Sequence, residues 1–343
     1  MEAEQTAGAA LWHSAAAGML FLFLLVVAVA AAATAIDVGP DQVMTVSIGE
    51  TDVNITRYAP SLGENGGAPM SFLNLHQNEN TSVVAARVVL MDPTGGSVTR
   101  LEHGGARYVS FELDGMAFTF DPNRMFTRAG VDATLRQHGN YTDAAAEDVL
   151  AFSQTVLHMY GWDDVDTVIA LHNNGGGGYS AESYLPGGSM ASEASKVNIV
   201  EGTDARNFFF VVTDELYTSL ADLGFNVVLQ NDEEPTDDGS LSVYAQAQGR
   251  NYVNVEALAS HTSRGDQVLV QLHMLRGLRK VLGIQSLACS KEASCCERPT
   301  RTSLLVAALV AAVAATLAAV LIVLRIHDGK RRADASAQRL VAE

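Results

Sequence analysis

A histidine and a glutamate lie where an apolar segment of the sequence gives way to a helical pattern. The segment Met70–Leu75 predicts a strand that runs up to His76, and a helix is predicted to begin about four residues later, after Glu79. Such a strand-to-helix turn lets His76 and Glu79 converge on one point, as two ligands of a tetrahedral zinc ion must. The spacing alone leaves a second interpretation open, in which the glutamate caps the helix and the histidine is unrelated.

A second histidine follows another apolar segment. Thr167–Leu171 predicts a buried strand, and His172 comes directly after it, ahead of four consecutive glycines at 175–178. A third ligand from a neighbouring strand end would complete a site of two histidines and one glutamate, with one metal position open for water. A core or loop histidine is the alternative. The glycines match no phosphate-binding fingerprint and are expected to provide room for a substrate or plain flexibility.

Two further charged residues have positions that suit chemistry. Arg124 follows a strand and a proline-containing turn, where its planar guanidinium could hold a carboxylate through two parallel hydrogen bonds. A surface salt bridge is the other interpretation. Glu256 lies inside an apolar segment, where a carboxylate is costly unless it has a task such as general-base catalysis. A structural glutamate paired with an arginine is the alternative there.

The elements that must position these residues alternate along the chain between short apolar runs and helical stretches. The predicted strands are Val43–Ile48, Met70–Leu75, Tyr108–Leu113, Ala117–Phe120, Thr167–Leu171, Asn207–Val212, Asn226–Leu229 and Asn251–Glu256. The predicted helices are Thr81–Met91, Asp143–Tyr160, Thr213–Leu223 and Gly265–Leu282. A hairpin turning at Asp114-Gly115 suggests a mixed sheet. This alternation predicts a three-layer α/β/α fold with ligands at the carboxyl ends of the strands.

These four motifs, in this order along the chain, resemble those of the zinc carboxypeptidase superfamily. That superfamily includes carboxypeptidase A-like peptidases and the aspartoacylase/succinylglutamate desuccinylase branch. The resemblance spans about residues 68–282. The family pattern of HxxE, Asn-Arg, a strand-end histidine and a strand-borne glutamate maps onto His76 and Glu79, Asn123 and Arg124, His172, and Glu256. The run DPNRMF looks like the DLNR-F of the deacylase branch, and the short interval between Glu79 and His172 also favours that branch.

The resemblance implies a role for each matching residue. It implies that Zn²⁺ is held by His76, Glu79 and His172, and that Glu256 is the catalytic base. Arg124, with Asn123 beside it, would bind a substrate carboxylate. No second arginine stands at the spacing at which the family has the one that polarises the substrate carbonyl, and Arg107 is the candidate for that role.

Composition limits the classes of function. The chain has 343 residues, of which 48% are hydrophobic and 18% charged, so one large domain or two modest ones with a packed core are expected. Its formal net charge is −17. Such a surface repels phosphate backbones, which argues against nucleic-acid binding.

The amino-terminal segment predicts the compartment. An apolar stretch ends at Ala33-Thr34-Ala35, a small-x-small pattern of the kind that signal peptidase cleaves, so residues 1–35 are interpreted as a signal peptide. No Lys or Arg precedes the stretch. An uncleaved signal anchor therefore remains the alternative, because an apolar run of this length could also span a bilayer.

The carboxyl-terminal segment predicts a membrane anchor. Residues 302–324 carry no charge and as a helix would cover ~34 Å, enough for a bilayer core. Basic residues begin at Arg325, so residues 325–343 are predicted to be a cytosolic tail. The preceding segment, 289–301, holds the cysteines of the chain, and a disulfide from Cys289 to Cys295 or Cys296 is predicted there.

These features together predict a single-pass type I membrane protein whose ectodomain, residues 36–288, is lumenal or extracellular. Three glycosylation sequons at Asn54, Asn80 and Asn140 suit such a location. The predicted function is a membrane-anchored zinc hydrolase that cleaves an amide bond next to a carboxylate, in a peptide or an N-acyl amino acid. The alternative is a non-catalytic surface glycoprotein that uses the same fold to bind a ligand or partner.

Overall fold

Eleven strands appear in the structure, a computed structural model that describes residues 40–59, 70–91, 96–175, 177–233, 235–259 and 264–284. They are β1 (Gln42–Ile48), β2 (Thr51–Tyr58), β3 (Met70–Asn74), β4 (Gly96–Glu102), β5 (Val109–Leu113), β6 (Met116–Phe120), β7 (Thr167–Asn174), β8 (Ala194–Asn198), β9 (Phe208–Val211), β10 (Asn226–Gln230) and β11 (Asn251–Leu258). The predicted signal peptide, cysteine segment and residues 302–324 lie outside the described residues.

Nine of the strands form one mixed sheet, in the order β1-β2-β4-β3-β7-β11-β9-β10-β8. The four central strands, β4, β3, β7 and β11, run parallel to one another. Their carboxyl ends therefore meet at one edge of the sheet, where ligands bind in open α/β folds. The antiparallel pairs are β1 with β2, β2 with β4, β11 with β9, and β10 with β8.

The predicted hairpin exists but does not join this sheet. β5 and β6 pair only with each other and form a separate two-stranded sheet. The turn lies at Asp114 and Gly115, both with positive φ, as a tight hairpin turn requires. The main sheet is mixed, as predicted, but its antiparallel pairs come from other strands than this hairpin.

Six α-helices cover the main sheet within the described residues: α1 (Asn80–Leu90), α2 (Arg128–His138), α3 (Asp143–Tyr160), α4 (Asp214–Asp222), α5 (Leu241–Ala247) and α6 (Arg264–Val281). The buried residues of these helices belong to two different hydrophobic cores. One core contains buried residues of α2, α3 and α5 together with the hairpin. The other contains buried residues of α1, α4 and α6. The result is a mixed α/β fold with helices on both faces of the sheet. None of the described helices is long and apolar enough to cross a membrane.

Helix α3 shows how local sequence sets an element. Thr142 caps it by accepting a hydrogen bond from the Ala145 N–H, and Gly161 ends it in the left-handed conformation, with φ of 84°. Between these ends, Val149, Phe152 and Val156 recur at helical spacing and are buried. Both limits agree with the helix predicted from the sequence.

Candidate metal and catalytic centre

His76, Glu79 and His172 converge at the carboxyl edge of the sheet. His76 lies two residues after the end of β3, Glu79 directly precedes α1, and His172 lies within β7, which pairs with β3. All three are at most 4% exposed, and their ligand atoms lie within 4.8 Å of one another. The predicted convergence is present. The strand limits differ, because β7 continues to Asn174 and His172 does not end it.

The Glu79 carboxylate bridges the two histidines. Its Oε1 lies 3.0 Å from Nδ1 of His76, and its Oε2 lies 3.1 Å from Nδ1 of His172. The two Nδ1 atoms are 3.2 Å apart. Although Glu79 stands at the amino-terminal cap of α1, its side chain makes no capping hydrogen bond. The interpretation of Glu79 as a helix cap is therefore wrong, and its carboxylate is available as a ligand.

Asp121 orients His76. Nε2 of His76 lies 2.8 Å from Oδ1 of Asp121, which also accepts a hydrogen bond from the Asn123 N–H at 2.8 Å. A histidine that binds a metal usually donates its other ring N–H to such a carboxylate, which holds the tautomer and the ring in place. Sequence reasoning missed Asp121. The available signal was an acidic residue directly after a strand, two positions ahead of Asn123.

Charge within this cluster shifts its protonation. Burial alone would lower the pKa of His76, but the carboxylates of Glu79 and Asp121 outweigh burial and raise that pKa to about 9. Burial alone would raise the pKa of Glu79, yet the two histidines hold it far below its usual range. Without a metal, His76 is therefore protonated on both ring nitrogens at neutral pH, and its Nδ1 proton faces the Glu79 carboxylate. A divalent cation would replace that proton and meet two nitrogen donors and one carboxylate.

The donor set fits a metal on two further observations. The three side chains are buried and enclosed, and no other group of three or more His, Cys, Asp or Glu residues in the described segments forms such a cluster. Nε2 of His172 is buried without a hydrogen-bond partner among those residues. Within the described residues, the His172 ring therefore makes its polar contacts through Nδ1, which faces His76 and Glu79.

Glu256 lies beside this cluster on the neighbouring strand. In the pairing of β11 with β7 it stands opposite His172, and it is 6% exposed. Its Oε1 accepts a hydrogen bond from Nδ2 of Asn254 at 3.1 Å, and its Oε2 lies 3.5 Å from Nδ2 of Asn174. Burial raises the pKa of Glu256. Among the described residues no lysine or arginine pairs with it, which argues against a purely structural ion pair.

The two arginines reach the site from different elements. Arg107 donates from Nη1 to Oε1 of Glu79 at 2.6 Å, and its side chain is 42% exposed. Arg124 ends a short 3₁₀ turn, and its Nη2 lies 3.4 Å from Oδ2 of Asp238. Asn123 accepts a hydrogen bond from the backbone N–H of Leu241 at 3.2 Å, which ties this turn to α5. Sequence reasoning did not identify Asp238 as the partner of Arg124.

These residues share one cavity of about 340 Å³. Its wall includes His76, His172, Glu256, Arg107, Asn123 and Arg124. Tyr179 and Tyr184, from the segment after β7, also line it, and their hydroxyls are 2.8 Å apart. A metal-ligand cluster, a buried carboxylate with raised pKa and a partly exposed arginine thus face one volume. Such an arrangement can activate water and hold an anionic group.

Comparison with known proteins finds similar chains among solved structures. No protein-family model and no curated protein matches the chain. Among solved structures, it is similar to a succinylglutamate desuccinylase from a Silicibacter species, with 14% identity and a TM-score of 0.39, covering 73% of this chain and 70% of that one. It is also similar to an aspartoacylase family protein from Mesorhizobium loti, with 15% identity and a TM-score of 0.33, covering 73% of this chain and 69% of that one.

A third similar structure is the cell shape determinant protein Csd4 from Helicobacter pylori, with 16% identity and a TM-score of 0.36. The match covers 67% of this chain and spans only 55% of that protein's length. The chemistry proposed below is inferred from the site residues of this chain.

Proposed function

We propose that this protein is a zinc-dependent hydrolase that cleaves an amide bond next to a carboxylate, in a peptide or an N-acyl amino acid. The observation that carries the proposal is the convergence of His76, Glu79 and His172 within 4.8 Å, with Glu256 on the adjacent strand. A substrate carboxylate can be placed by Arg124 in the same cavity.

Two nitrogen ligands and one carboxylate, with no thiolate, match the ligand set of catalytic zinc sites. His76, Glu79 and His172 would hold the ion. When bound, zinc supplies Lewis acidity, which lowers the pKa of water and polarises a carbonyl. Asp121 keeps Nε2 of His76 occupied, so that Nδ1 would be the atom available to bind the ion.

The remaining steps belong to the side chains of this chain. Glu256, whose pKa is raised by burial, accepts a proton from the attacking water and later passes it to the leaving nitrogen. Arg124 binds the substrate carboxylate and must exchange part of its contact with Asp238 to do so. Arg107 lines the cavity and donates a hydrogen bond to Glu79, which supports a role for it in polarising the substrate carbonyl.

The wider organisation of the protein is also a proposal. Residues 36–288 form the catalytic ectodomain, which is anchored by residues 302–324 and faces the lumen or the exterior. Among the sequons, Asn54 and Asn140 are exposed and suit glycosylation. Asn80 is partly buried and accepts a hydrogen bond from Arg100 at 2.6 Å, so it is expected to stay unmodified.

The function is tested with the full-length protein by measuring metal content and turnover together. Close to one zinc per chain is expected, and His172→Ala should lose most of it. N-blocked dipeptides and N-acyl amino acids provide the substrate panel. Equal zinc in wild type and His172→Ala would rule out the metal assignment. Zinc binding without turnover of any panel member would instead favour a ligand-binding protein.

A further inference from the structure

The strand that carries Glu256 presents a row of polar side chains to the cavity. Side chains alternate between the two faces of a strand, so residues 252, 254 and 256 of β11 share one face. Tyr252, Asn254 and Glu256 all line the cavity, whereas Val253 and Val255 are buried in the core on the opposite face. Tyr252 is 1% exposed and Asn254 8%. Neither has a role in the catalytic steps above.

The orientation of the Asn254 amide is determined by its neighbour. An ionised carboxylate can only accept hydrogen bonds, so Nδ2 of Asn254 must face Glu256, to which it donates at 3.1 Å. Oδ1 then faces away from Glu256. This oxygen is buried and has no hydrogen-bond partner within the described parts of the chain. A buried acceptor of this kind is satisfied by an N–H or O–H group, which a water molecule or a ligand can supply.

Tyr252 supplies the complementary group. Tyr252 belongs to the hydrophobic core that also contains Leu241 and Tyr160. Its hydroxyl makes no hydrogen bond to any described residue. Burial, together with the nearby Glu256 carboxylate, raises the pKa of Tyr252 well above its usual value, so the hydroxyl stays protonated at neutral pH. It can therefore donate to an acceptor on a ligand.

We propose that Tyr252 and Asn254 form a subsite for a neutral substrate side chain that both donates and accepts hydrogen bonds, as a primary carboxamide does. The inference rests on the proposed hydrolase, in which the leaving amino acid places its carboxylate on Arg124. A glutamine side chain would donate its N–H to Oδ1 of Asn254 and accept the O–H of Tyr252.

Other side chains of similar length satisfy this pair less well. A lysine ammonium carries only donors and leaves the Tyr252 hydroxyl proton unpaired. A glutamate carboxylate carries only acceptors and leaves Oδ1 of Asn254 unpaired. A methionine thioether pairs with neither group well. The leaving amino acid is therefore expected to be glutamine-like.

The first test measures turnover by the zinc-loaded full-length protein. The substrates are N-acetyl amino acids and N-blocked dipeptides in which the leaving residue is glutamine, glutamate, lysine or methionine. The value of kcat/KM for glutamine is expected to exceed each of the others by about tenfold to a hundredfold. Tyr252→Phe should reduce the ratio of glutamine to methionine at least tenfold. Tyr244→Phe is the matched control, because Tyr244 packs against Trp162 and does not line the cavity.

The second test measures binding without turnover. Isothermal titration of free L-glutamine and L-methionine into wild type and Tyr252→Phe should show tighter binding of glutamine that depends on the hydroxyl. The hydroxyl has no partner among the described residues, so Tyr252→Phe is expected to unfold at the same temperature as wild type.

The outcomes separate the subsite from the hydrolase. Turnover of the panel without a preference for glutamine, or with a preference that survives in Tyr252→Phe, overturns the subsite and leaves the hydrolase intact. Binding of glutamine that depends on Tyr252, without turnover of any substrate, supports the subsite and counts against the hydrolase. If glutamine is neither turned over nor bound, the subsite is also overturned.

Discussion

Glu256 owes its proposed role to its surroundings. An exposed glutamate is a weak base at neutral pH, whereas burial raises the pKa of Glu256 and so increases its affinity for a proton. Amide donors from Asn254 and Asn174 hold both of its oxygens, so the carboxylate is oriented without a pairing cation among the described residues. This combination suits proton transfer.

Replacing Glu256 with glutamine should separate catalysis from binding. Glu256→Gln keeps the shape of the side chain and removes the base, so kcat is expected to fall about 10²–10⁴-fold. Zinc content and inhibitor binding should be retained. Steady-state kinetics and metal analysis check both points, with Glu215→Gln, an exposed residue of α4, as the control. A wild-type rate in Glu256→Gln would exclude the mechanism.

Arg124 should affect binding more than the chemical step. Arg124→Ala removes a charge-assisted contact, usually worth ~1.5–3 kcal/mol, so KM for carboxylate-bearing substrates is expected to rise roughly tenfold to a hundredfold. Kinetics on matched substrates with and without the carboxylate measure this effect. Arg250→Ala, which removes an arginine outside the cavity, is expected to change nothing. An unchanged KM in Arg124→Ala would contradict the assignment.

Metal binding should be coupled to the release of a proton from His76. The pKa of His76 is raised to about 9 in the metal-free chain, so below that pH the residue is protonated, and a metal must displace the proton. Zinc affinity is therefore expected to rise about tenfold per pH unit up to about pH 9. Titration calorimetry in buffers of different ionisation enthalpy should report the release of about one proton at pH 7.

Asp121 provides the matched variant for that coupling. Asp121→Asn removes one of the carboxylates that raise the pKa of His76, so the variant should release less than one proton at pH 7. Its zinc affinity at high pH should also fall about 10–100-fold, because the ring is held less well. Proton release and affinity equal to wild type would show that Asp121 does not act through His76.

At the scale of elements, two helices begin with the same Thr-Asp pair but use it differently. Thr142 caps α3 through a side-chain hydrogen bond to the Ala145 N–H. Thr213 stands at the equivalent position of α4, yet its hydroxyl is buried and makes no hydrogen bond within the described residues. A common sequence motif thus has a local effect that depends on the geometry of the entering chain.

These two threonines allow a direct comparison. Thr142→Ala should lower the free energy of unfolding by about 1 kcal/mol, because an amino-terminal N–H of α3 loses its partner. Thr213→Ala removes no capping hydrogen bond and is expected to cost less. Urea denaturation of both variants measures the difference. Equal losses would show that the cap of α3 does not contribute to stability.

At the scale of the whole molecule, the site depends on strand order. β3 and β7 are adjacent although about a hundred residues separate their sequences, and β11 is added on the other side of β7. Because these strands run parallel, the residues near their carboxyl ends meet in one place. The convergence of the candidate site residues is therefore a consequence of topology.

The topology of the chain in a membrane is a separate prediction. Cleavage after Ala35 would make Ile36 or a nearby residue the mature amino terminus, and the tail after residue 324 should be protease-accessible from the cytosol. Amino-terminal sequencing and protease protection measure these outcomes. Recovery of intact Met1 would indicate an uncleaved signal anchor, with both termini cytosolic.

Elements with a strong local pattern could be predicted from the sequence. The limits of α3 and the turn at Asp114-Gly115 follow from capping residues, helical spacing and positive-φ preferences, which act over a few residues. β2, β4 and β8 were missed, as were α2 and α5. β4 contains polar residues, including buried Ser97 and Thr99, and is a strand because β2 and β3 pair with it on both sides.

The site divides in the same way. The types and spacing of His76, Glu79, His172 and Glu256 are enough to indicate metal and general-base chemistry, because each follows or lies within a recognisable strand. The contact of Asp121 with His76, that of Asp238 with Arg124, and the unpaired Oδ1 of Asn254 could not be read from spacing. They arise from contacts between residues far apart in sequence, which only strand order and packing determine.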